Sequence, residues 1–257
     1  MSSEPETPTT RIATSTRDDV FIRDKSLCRE LVGKLTFTEM IVFQMLGRRP
    51  SPSETRLVDA CLVTLMEHGM TPSAVAARLV YSSAPEAMQA AVAAGLLGVG
   101  SRFAGTMEGC GALLARIASS AHPDDEATRI AEEHRASRTP LAGFGHPTHK
   151  PDDPRALRLL ELCDAEGVAG ANVGALRRLA NAVDRIYGKH ITINATGAIA
   201  AVLADCGVPY EILRGFALIS RCAGLVGHVR EEQQEPTLRA VWEAAERAVP
   251  YSGQAGK

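Results

Sequence analysis

The sequence predicts an all-α fold, and three observations support this prediction. Hydrophobic residues make up 45% of the chain but aromatic residues only 4%, so the core must consist mostly of Ala, Leu, Val and Ile, which favours closely packed helices. Helix start and stop signals recur along the 257 residues. The period-two alternation of a half-buried strand is absent apart from one short stretch at residues 190–193.

The first half of the chain carries helix start signals. In a capping box, the N-cap side chain and a glutamate three residues on each accept a backbone N–H of the other residue. The signals lie at Thr36 with Glu39, Ser51 with Glu54, Thr71 with Pro72 and Ser83 with Glu86, and the second predicts a helix that runs to Gly69. We interpret the small residues at 90–105 as closely packed helix rather than a phosphate loop, because no strand precedes them and no GxGxxG motif is present.

The second half of the chain is also predicted to be helical. Glycine follows three of its helices at the position where a C-cap needs a positive φ. The predicted helices cover residues 106–119, 124–136, 154–166, 172–187 and 195–206, and a long apolar helix begins at Pro209.

The composition excludes several classes of protein. A net charge of −2 provides no general attraction for nucleic acid or an anionic membrane, and no run reaches the roughly 18 apolar residues of a membrane span. The six cysteines form no CxxC pair and mostly lie among apolar residues, as reduced buried thiols do, which predicts a cytoplasmic protein. Residues 1–19 contain no apolar signal-peptide region, and we interpret them as a disordered tail.

Residues 141–155, LAGFGHPTHKPDDPR, form a polar, proline-rich segment between two predicted helices. Asp153 suits an N-cap and Pro154 the first helical position, which places Arg155 in the first helical turn. A cation there opposes the helix dipole. A bound anion that faces Arg155, the free N–H groups and His146 would remove this conflict. The alternative is a surface loop with a solvated arginine.

The long apolar helix carries a second charged pattern. Arg214, Arg221 and His228 recur every seven residues and therefore lie nearly on one face. Arg221 is in the middle of an apolar segment, where burial of an unpaired charge is costly. Its partner is either an aspartate or glutamate of the protein or a substrate carboxylate.

Four segments together resemble the citrate synthase superfamily, in particular its short citryl-CoA lyases and the citrate synthase-like module of ATP-citrate lyase. The GFGH sequence at 143–146, followed by DPR at 153–155, resembles the family's GxGH...DPR signature. The other segments are EHG at 67–69, LLGVGSRFAGTMEG at 96–109 and SRCAG at 220–224, with Gly227-His228 after it.

The resemblance implies a citrate synthase-like homodimer in which a large and a small helical domain close over the substrate. The large domain would comprise residues 20–105 and 207–257, and the small domain, with the GFGH segment, residues 106–206. The ligands would be a small carboxylic acid and coenzyme A, as part of an acyl-CoA, and no metal is expected. A CoA ligase that supplies the thioester is a further candidate partner.

The resemblance also implies roles for individual residues. His146 would contact the carbonyl oxygen of oxaloacetate, or the hydroxyl of citryl-CoA, and take part in proton transfer, for which a histidine of near-neutral pKa is suited. Arg155 and Arg221 would bind the carboxylates of the four-carbon acid, and His68 would help to hold it. The residues that would contact coenzyme A are Phe144, Gly145 and Lys150.

Two positions depart from the family pattern. Phe103 stands where citrate synthases have a histidine that hydrogen-bonds the thioester oxygen, so Phe103 would contact the substrate without donating that bond. Asn194 matches the aspartate that exchanges the acetyl-CoA methyl proton, and an amide is neither acid nor base near neutral pH. As a catalytic residue Asn194 could hydrogen-bond an enolate or thioester oxygen, and as a structural residue it could cap the following helix. The two roles are compatible.

Three functions are compatible with these residues. The first is an acyl-CoA carbon-carbon lyase or synthase that converts citryl-CoA, or a related 3-hydroxyacyl-CoA, to acetyl-CoA or another acyl-CoA and a keto acid such as oxaloacetate. The second is a non-catalytic protein that binds a CoA ester or di-acid and has lost the proton-transfer carboxylate. The third is a metal-dependent enzyme that uses His146 and His149 with Asp152 or Asp153, although the intervening prolines disfavour a shared ligand face.

Overall fold

Residues 8–101 and 105–253 are described by a computed structural model, and they form a mostly helical fold, as the sequence predicts. A π-helical turn covers Leu27–Leu31 and a 3-10 turn covers Tyr210–Ile212. The α helices of these residues are α1 (Phe37–Leu46), α2 (Pro52–Met66), α3 (Pro72–Ser83), α4 (Met88–Leu97), α5 (Thr106–Ser119), α6 (Pro123–Ser137), α7 (Pro154–Ala165), α8 (Ala171–Tyr187), α9 (Ala195–Asp205), α10 (Leu213–Gln234) and α11 (Leu238–Ala248).

A small antiparallel sheet precedes α1, and the sequence analysis does not predict it. Its strands pair in the order β1-β2-β3 and are β1 (Ala13–Ser15), β2 (Val20–Ile22) and β3 (Lys25–Ser26). The prediction of a disordered tail is therefore wrong for residues 13–15. Strands of two or three residues are too short to show an alternating pattern. The Asp19 carboxylate stabilises the turn by accepting the Val20 N–H at 2.8 Å and the Ser26 hydroxyl at 2.5 Å.

The helix start signals are confirmed in most places. Thr36 and Ser51 both form complete capping boxes at the starts of α1 and α2. Helix α2 ends at Met66, before the predicted Gly69, because Glu67 adopts an extended conformation. The predicted helix start at Ser83 is wrong, since this residue ends α3 and its hydroxyl donates to the Leu79 carbonyl instead.

Helix α9 lies at the centre of the core. Every residue from Gly197 to Leu203 is buried, and the helix packs against α2, α5, α7 and α8. The four alanines of α9 that lie in the core allow this close packing on several sides. The N-terminus of α9 is thereby held in a fixed place, and it faces the candidate site.

Helix α10 packs against α2, α3 and α4. By length and composition alone α10 is apolar enough to cross a membrane, but Phe216, Ser220 and Leu225 are buried within the protein. Gly224 brings α10 close to the end of α2, because a Cβ at this position would overlap the Met66 carbonyl oxygen. The segment that follows α2 consequently lies beside the middle of α10.

Candidate active site

A cavity of about 600 Å³ lies where residues 141–148 meet the N-termini of α7 and α9 and the middle of α10. Lys150 is exposed and does not line it, and Phe103 lies outside the described residues. The other predicted site residues do line this cavity, namely His68, Phe144, Gly145, His146, Arg155, Asn194 and Arg221. The structure therefore brings together residues from distant parts of the chain.

The GFGH segment is held against the start of α9 by backbone contacts. The Asn194 N–H donates to the Gly143 carbonyl at 3.0 Å, and the Gly145 N–H donates to the Thr192 carbonyl at 2.7 Å. The short strand predicted at 190–193 is present only as a bridge that pairs Ile193 with Phe144. Gly143 has a φ of +85°, and a Cβ there would also meet the Cys110 sulfur and α9. Glycine is therefore required at this position.

His146 has its Nδ1 committed to the protein backbone. This atom accepts the N–H groups of Thr148 at 3.1 Å and His149 at 3.0 Å. In the neutral ring the proton is then assigned to Nε2. Nη2 of Arg155 lies 3.4 Å from this nitrogen, but both groups are then donors, so they form no hydrogen bond with each other. Burial lowers the pKa of His146, and the nearby His149 lowers it further. Near pH 7, His146 is therefore a neutral ring that donates from Nε2.

His149 stacks on His146, with ring centroids 4.4 Å apart and planes inclined by 29°. Because Nδ1 of His146 already accepts backbone N–H groups, it is not free to bind a metal ion. The Asp152 carboxylate lies 3.1 Å from Nε2 of His190 instead. Among the described residues, no group of three His, Cys, Asp or Glu side chains is arranged as a metal site, and these contacts do not favour the metal-dependent alternative.

Asp153 is the N-cap of α7, as predicted, and it also binds Arg155. The carboxylate is fully buried and accepts from Nε and Nη2 of Arg155 at 3.0 and 2.8 Å and from the Ala195 N–H at 3.0 Å. Burial alone would raise the pKa of Asp153, but the Arg155 hydrogen bonds lower it below its usual value. The conflict predicted between Arg155 and the helix dipole is thus already relieved by Asp153, without a bound anion.

Arg221 lies on the wall of the cavity, beside Glu67. Its side chain is 15% exposed, and Nη1 lies 3.7 Å from Oε1 of Glu67. This buried Nη1 has no hydrogen-bond partner among the described residues. The first predicted alternative, a carboxylate of the protein, is therefore present as a long ion pair with Glu67, and a bound carboxylate as a further partner stays a prediction. Of the other members of the seven-residue pattern, His228 lies beside the same Glu67 carboxylate and Arg214 pairs with Glu108.

Glu67 organises the segment that carries His68. Its Oε1 accepts the N–H groups of His68 at 2.7 Å and Gly69 at 2.8 Å, and its Oε2 lies 3.0 Å from Nε2 of His228. Nδ1 of His228 accepts from Nε of the buried Arg78 at 3.0 Å. The roles of Glu67 and Arg78 were not predicted from the sequence, although an arginine within the apolar helix α3 was a usable signal.

Asn194 has both ends of its amide engaged. Its Oδ1 accepts the Gly197 N–H at 3.1 Å and the Thr196 hydroxyl at 2.7 Å, so the predicted helix cap is confirmed. Its Nδ2 donates to the Gly145 carbonyl at 2.9 Å. Asn194 therefore ties the GFGH segment to α9.

A second cavity, of about 390 Å³, lies on the other side of Phe144. It is lined by Arg135 and Arg138 from the end of α6 and by Tyr187 from the end of α8. The Arg135 guanidinium carbon is 5.9 Å from the centroid of the Tyr187 ring. Neither arginine pairs with a carboxylate in the described part of the chain. These residues were not predicted from the sequence, because nothing in the pattern of α6 connects it with the GFGH segment.

The fold and these cavities define a helical protein with a cleft in which arginine and histidine side chains from remote segments meet. A family model described as the citrate synthase C-terminal domain matches residues 22–240. The chain belongs to the citrate synthase family.

Solved structures of known proteins are similar to this fold. The fold is similar to that of citryl-CoA lyase from Hydrogenobacter thermophilus, with 32% sequence identity, a TM-score of 0.88 and coverage of 97% of this chain and 96% of that chain. ATP citrate lyase from Methanothrix soehngenii, with 17% identity and a TM-score of 0.78 over 98% of this chain and 43% of that chain, shares the fold.

Among curated proteins, citrate/2-methylcitrate synthase from Bacillus subtilis (strain 168) is 26% identical over 211 residues, which is 79% of this chain and 54% of that protein. The chain spans about half the length of the curated relatives it matches.

Proposed function

We infer that the protein is an acyl-CoA carbon-carbon lyase or synthase that interconverts citryl-CoA, or a related 3-hydroxyacyl-CoA, with an acyl-CoA and a keto acid such as oxaloacetate. The observation that carries this proposal is the convergence of Arg155, Arg221 and His146 on one cavity. Two fixed cations suit a di-acid, and an imidazole N–H suits its carbonyl or hydroxyl oxygen. The similarity to a citryl-CoA lyase supports the same reaction class.

In the proposed reaction His146 acts chiefly as a hydrogen-bond donor. The resemblance implies that this residue takes part in proton transfer, but its Nδ1 accepts two backbone N–H groups and its Nε2 carries the proton. Such a donor stabilises negative charge that develops on the substrate oxygen. Arg155 and Arg221 would fix the acid next to it, and this positioning contributes directly to the rate.

Coenzyme A would lie along the GFGH segment. Phe144 and its neighbours Pro140 and Leu141 form walls of both cavities, so a thioester in the larger cavity could extend past Phe144 towards the smaller one. Arg135 and Arg138 would bind the phosphates there. The ATP citrate lyase structure from Methanothrix soehngenii holds citrate and coenzyme A, which supports a CoA ester as ligand. Lys150 would contribute at the exposed rim.

The proposal includes a homodimer, a cytoplasmic location and a CoA ligase as a functional partner. Exposed apolar side chains on α4 support self-association, because Leu97 is 87% and Met88 is 41% exposed in the single chain. Closure of residues 106–206 against the rest of the chain would exclude water from the enolate.

The second candidate function is non-catalytic binding of a CoA ester or di-acid. The observation that favours it is the hydrogen bonding of Asn194. Its amide cannot transfer a proton and is already hydrogen-bonded at both ends. Both candidates require the two arginines, so binding alone does not separate them.

Incubation of the purified protein with a panel of 3-hydroxyacyl-CoA esters tests the proposed function. We expect release of acetyl-CoA and oxaloacetate from citryl-CoA, and we expect Arg221→Gln to lower kcat/KM by about 100-fold because the acid is no longer held in register. His122→Gln, at the exposed start of α6, is the matched control and should behave as wild type. A protein that binds CoA but cleaves no ester supports the non-catalytic alternative.

A further inference from the structure

The described residues that line the larger cavity offer few groups able to carry a proton. The arginines stay protonated, and the Asn194 amide is neither acid nor base. Glu67 accepts the N–H groups of His68 and Gly69. Although burial raises the pKa of Glu67, the hydrogen bonds it accepts lower it more. His146 carries its proton on Nε2 because Nδ1 is occupied.

His68 differs from these groups because neither of its ring nitrogens has a hydrogen-bond partner in the described part of the chain. Its ring is on the cavity wall, with the centroid 6.2 Å from that of His146 and 6.4 Å from that of His149. The backbone beneath it is fixed by Oε1 of Glu67. A free imidazole is thus presented on a rigid turn beside the oxygen-binding histidine.

Burial and the charges around His68 keep its ring neutral. Burial lowers the pKa of His68, and Arg155, His149 and Arg221 lower it further, while Asp153 acts in the opposite direction. Near pH 7 one ring nitrogen therefore retains a lone pair that can accept a proton.

We propose that His68 is a catalytic residue that takes the hydroxyl proton of the bound 3-hydroxyacyl-CoA and returns it to the acyl carbon. This assignment rests on the proposed lyase function and goes beyond the holding of the acid that the resemblance implies. It supplies the proton transfer that Asn194 cannot perform.

The proposed step is balanced without another reactant. The hydroxyl O–H bond breaks and its proton moves to a ring nitrogen of His68, while the oxygen forms the new C=O bond. The carbon-carbon bond breaks, and its electron pair passes to the acyl-CoA fragment as an enolate. The enolate carbon then takes the proton from His68, which returns to its neutral form. The N–H of His146 donates to the oxygen throughout.

His68→Gln tests the assignment, because glutamine can still hydrogen-bond but cannot accept a proton. We expect this variant to bind oxaloacetate with unchanged affinity, measured by thermal protection, and to cleave citryl-CoA at least about 100-fold more slowly than wild type. Exchange of the acetyl-CoA methyl protons with deuterium from D₂O should be lost as well. Added imidazole should partly restore cleavage to His68→Ala, and His122→Gln should keep wild-type rates.

The outcomes separate this proposal from the proposed function. Wild-type cleavage by His68→Gln overturns the proton-carrier role and leaves the lyase function intact. A variant that is slow only because it no longer binds oxaloacetate also overturns the proposal, since His68 would then hold the acid. A wild-type protein that cleaves no ester of the panel overturns the lyase function and this proposal with it.

Discussion

Asp153 connects the start of α7, the start of α9 and the Arg155 guanidinium through one buried carboxylate. Asp153→Asn removes the charge and places an amide donor among groups that already donate. We expect the free energy of unfolding to fall by about 2 kcal/mol, because buried donors lose their acceptor, and the KM for the keto acid to rise as Arg155 loses its support. Chemical denaturation and steady-state kinetics measure the two effects.

Asp164→Asn is the control for this prediction, because Asp164 pairs with Arg177 at the surface, with each side chain roughly half exposed. A surface pair of this kind contributes at most about 1 kcal/mol. Equal destabilisation by the two substitutions would contradict the central role of Asp153.

The three neighbouring histidines, His68, His146 and His149, predict how the cleavage rate changes with pH. The pKa values of His68 and His146 both lie below 6.5, so the neutral forms required for cleavage are lost only as the pH falls through these lowered values. The rate should be nearly constant from pH 7 to 8 and decrease in acid.

His149→Phe keeps the stack but removes a group that lowers both pKa values, so the acid limb of the pH-rate profile should move to higher pH. An unchanged acid limb would count against this electrostatic coupling.

At the scale of secondary-structure elements, His190 links the end of α8 to the segment before α7. Its Nδ1 lies 2.6 Å from Asp184 and its Nε2 lies 3.1 Å from Asp152, and these hydrogen bonds raise the pKa of His190 above 6.5. A pKa that is higher in the folded protein than in the unfolded chain stabilises the fold at pH values below the unfolded-state pKa. This stabilisation is lost as the pH rises through the folded-state pKa.

His190→Gln should therefore destabilise the protein more at pH 5.5 than at pH 8.5, by about 1 kcal/mol or less because the site is half exposed. Urea unfolding at the two pH values measures this difference, with His122→Gln as control. A larger effect at the alkaline pH would reverse the predicted sign.

The elements were predictable where a local signal determines them. The capping boxes at Thr36 and Ser51 and the Asp153-Pro154 start depend only on neighbouring residues, and these predictions are confirmed. The same local rule fails at Ser83, where α3 continues through the residue that should have started the next helix. The sheet at residues 13–26 consists of strands too short to leave a periodic signal.

At the scale of the whole molecule, the cavity depends on contacts between remote segments. The GFGH, DPR, EHG and SRCAG sequences were sufficient to predict its arginine and histidine side chains, whereas most of the other residues that line it lie outside these sequences. The partners of those residues were not predictable, because the Arg78 contact with His228 spans 150 residues, and the cavity that the end of α6 and Phe144 line together has no sequence signature. Sequence motifs identify the groups, and the packing of helices determines what each group touches.

Ligand binding should stabilise the entire fold, because the cavity joins helices from both flanks of the chain. Oxaloacetate at 100 times its Kd contributes about 2.7 kcal/mol, which corresponds to a rise in Tm of roughly 5 to 10 °C for a chain of this size. Differential scanning fluorimetry measures the shift. Arg221→Gln should show a rise of only about 1 °C at the same concentration if it binds 100-fold more weakly, and a normal rise in this variant would place the acid elsewhere.

Gly143 and Gly197 let the GFGH segment lie directly on the first turn of α9, since a Cβ on either residue would overlap the other backbone. No side chain separates the two surfaces, so this junction has no room to slide or rotate. The segment with His146 and the buried helix α9 must therefore travel as one rigid body whenever the cleft opens, and any hinge that admits a large ester has to lie outside this junction.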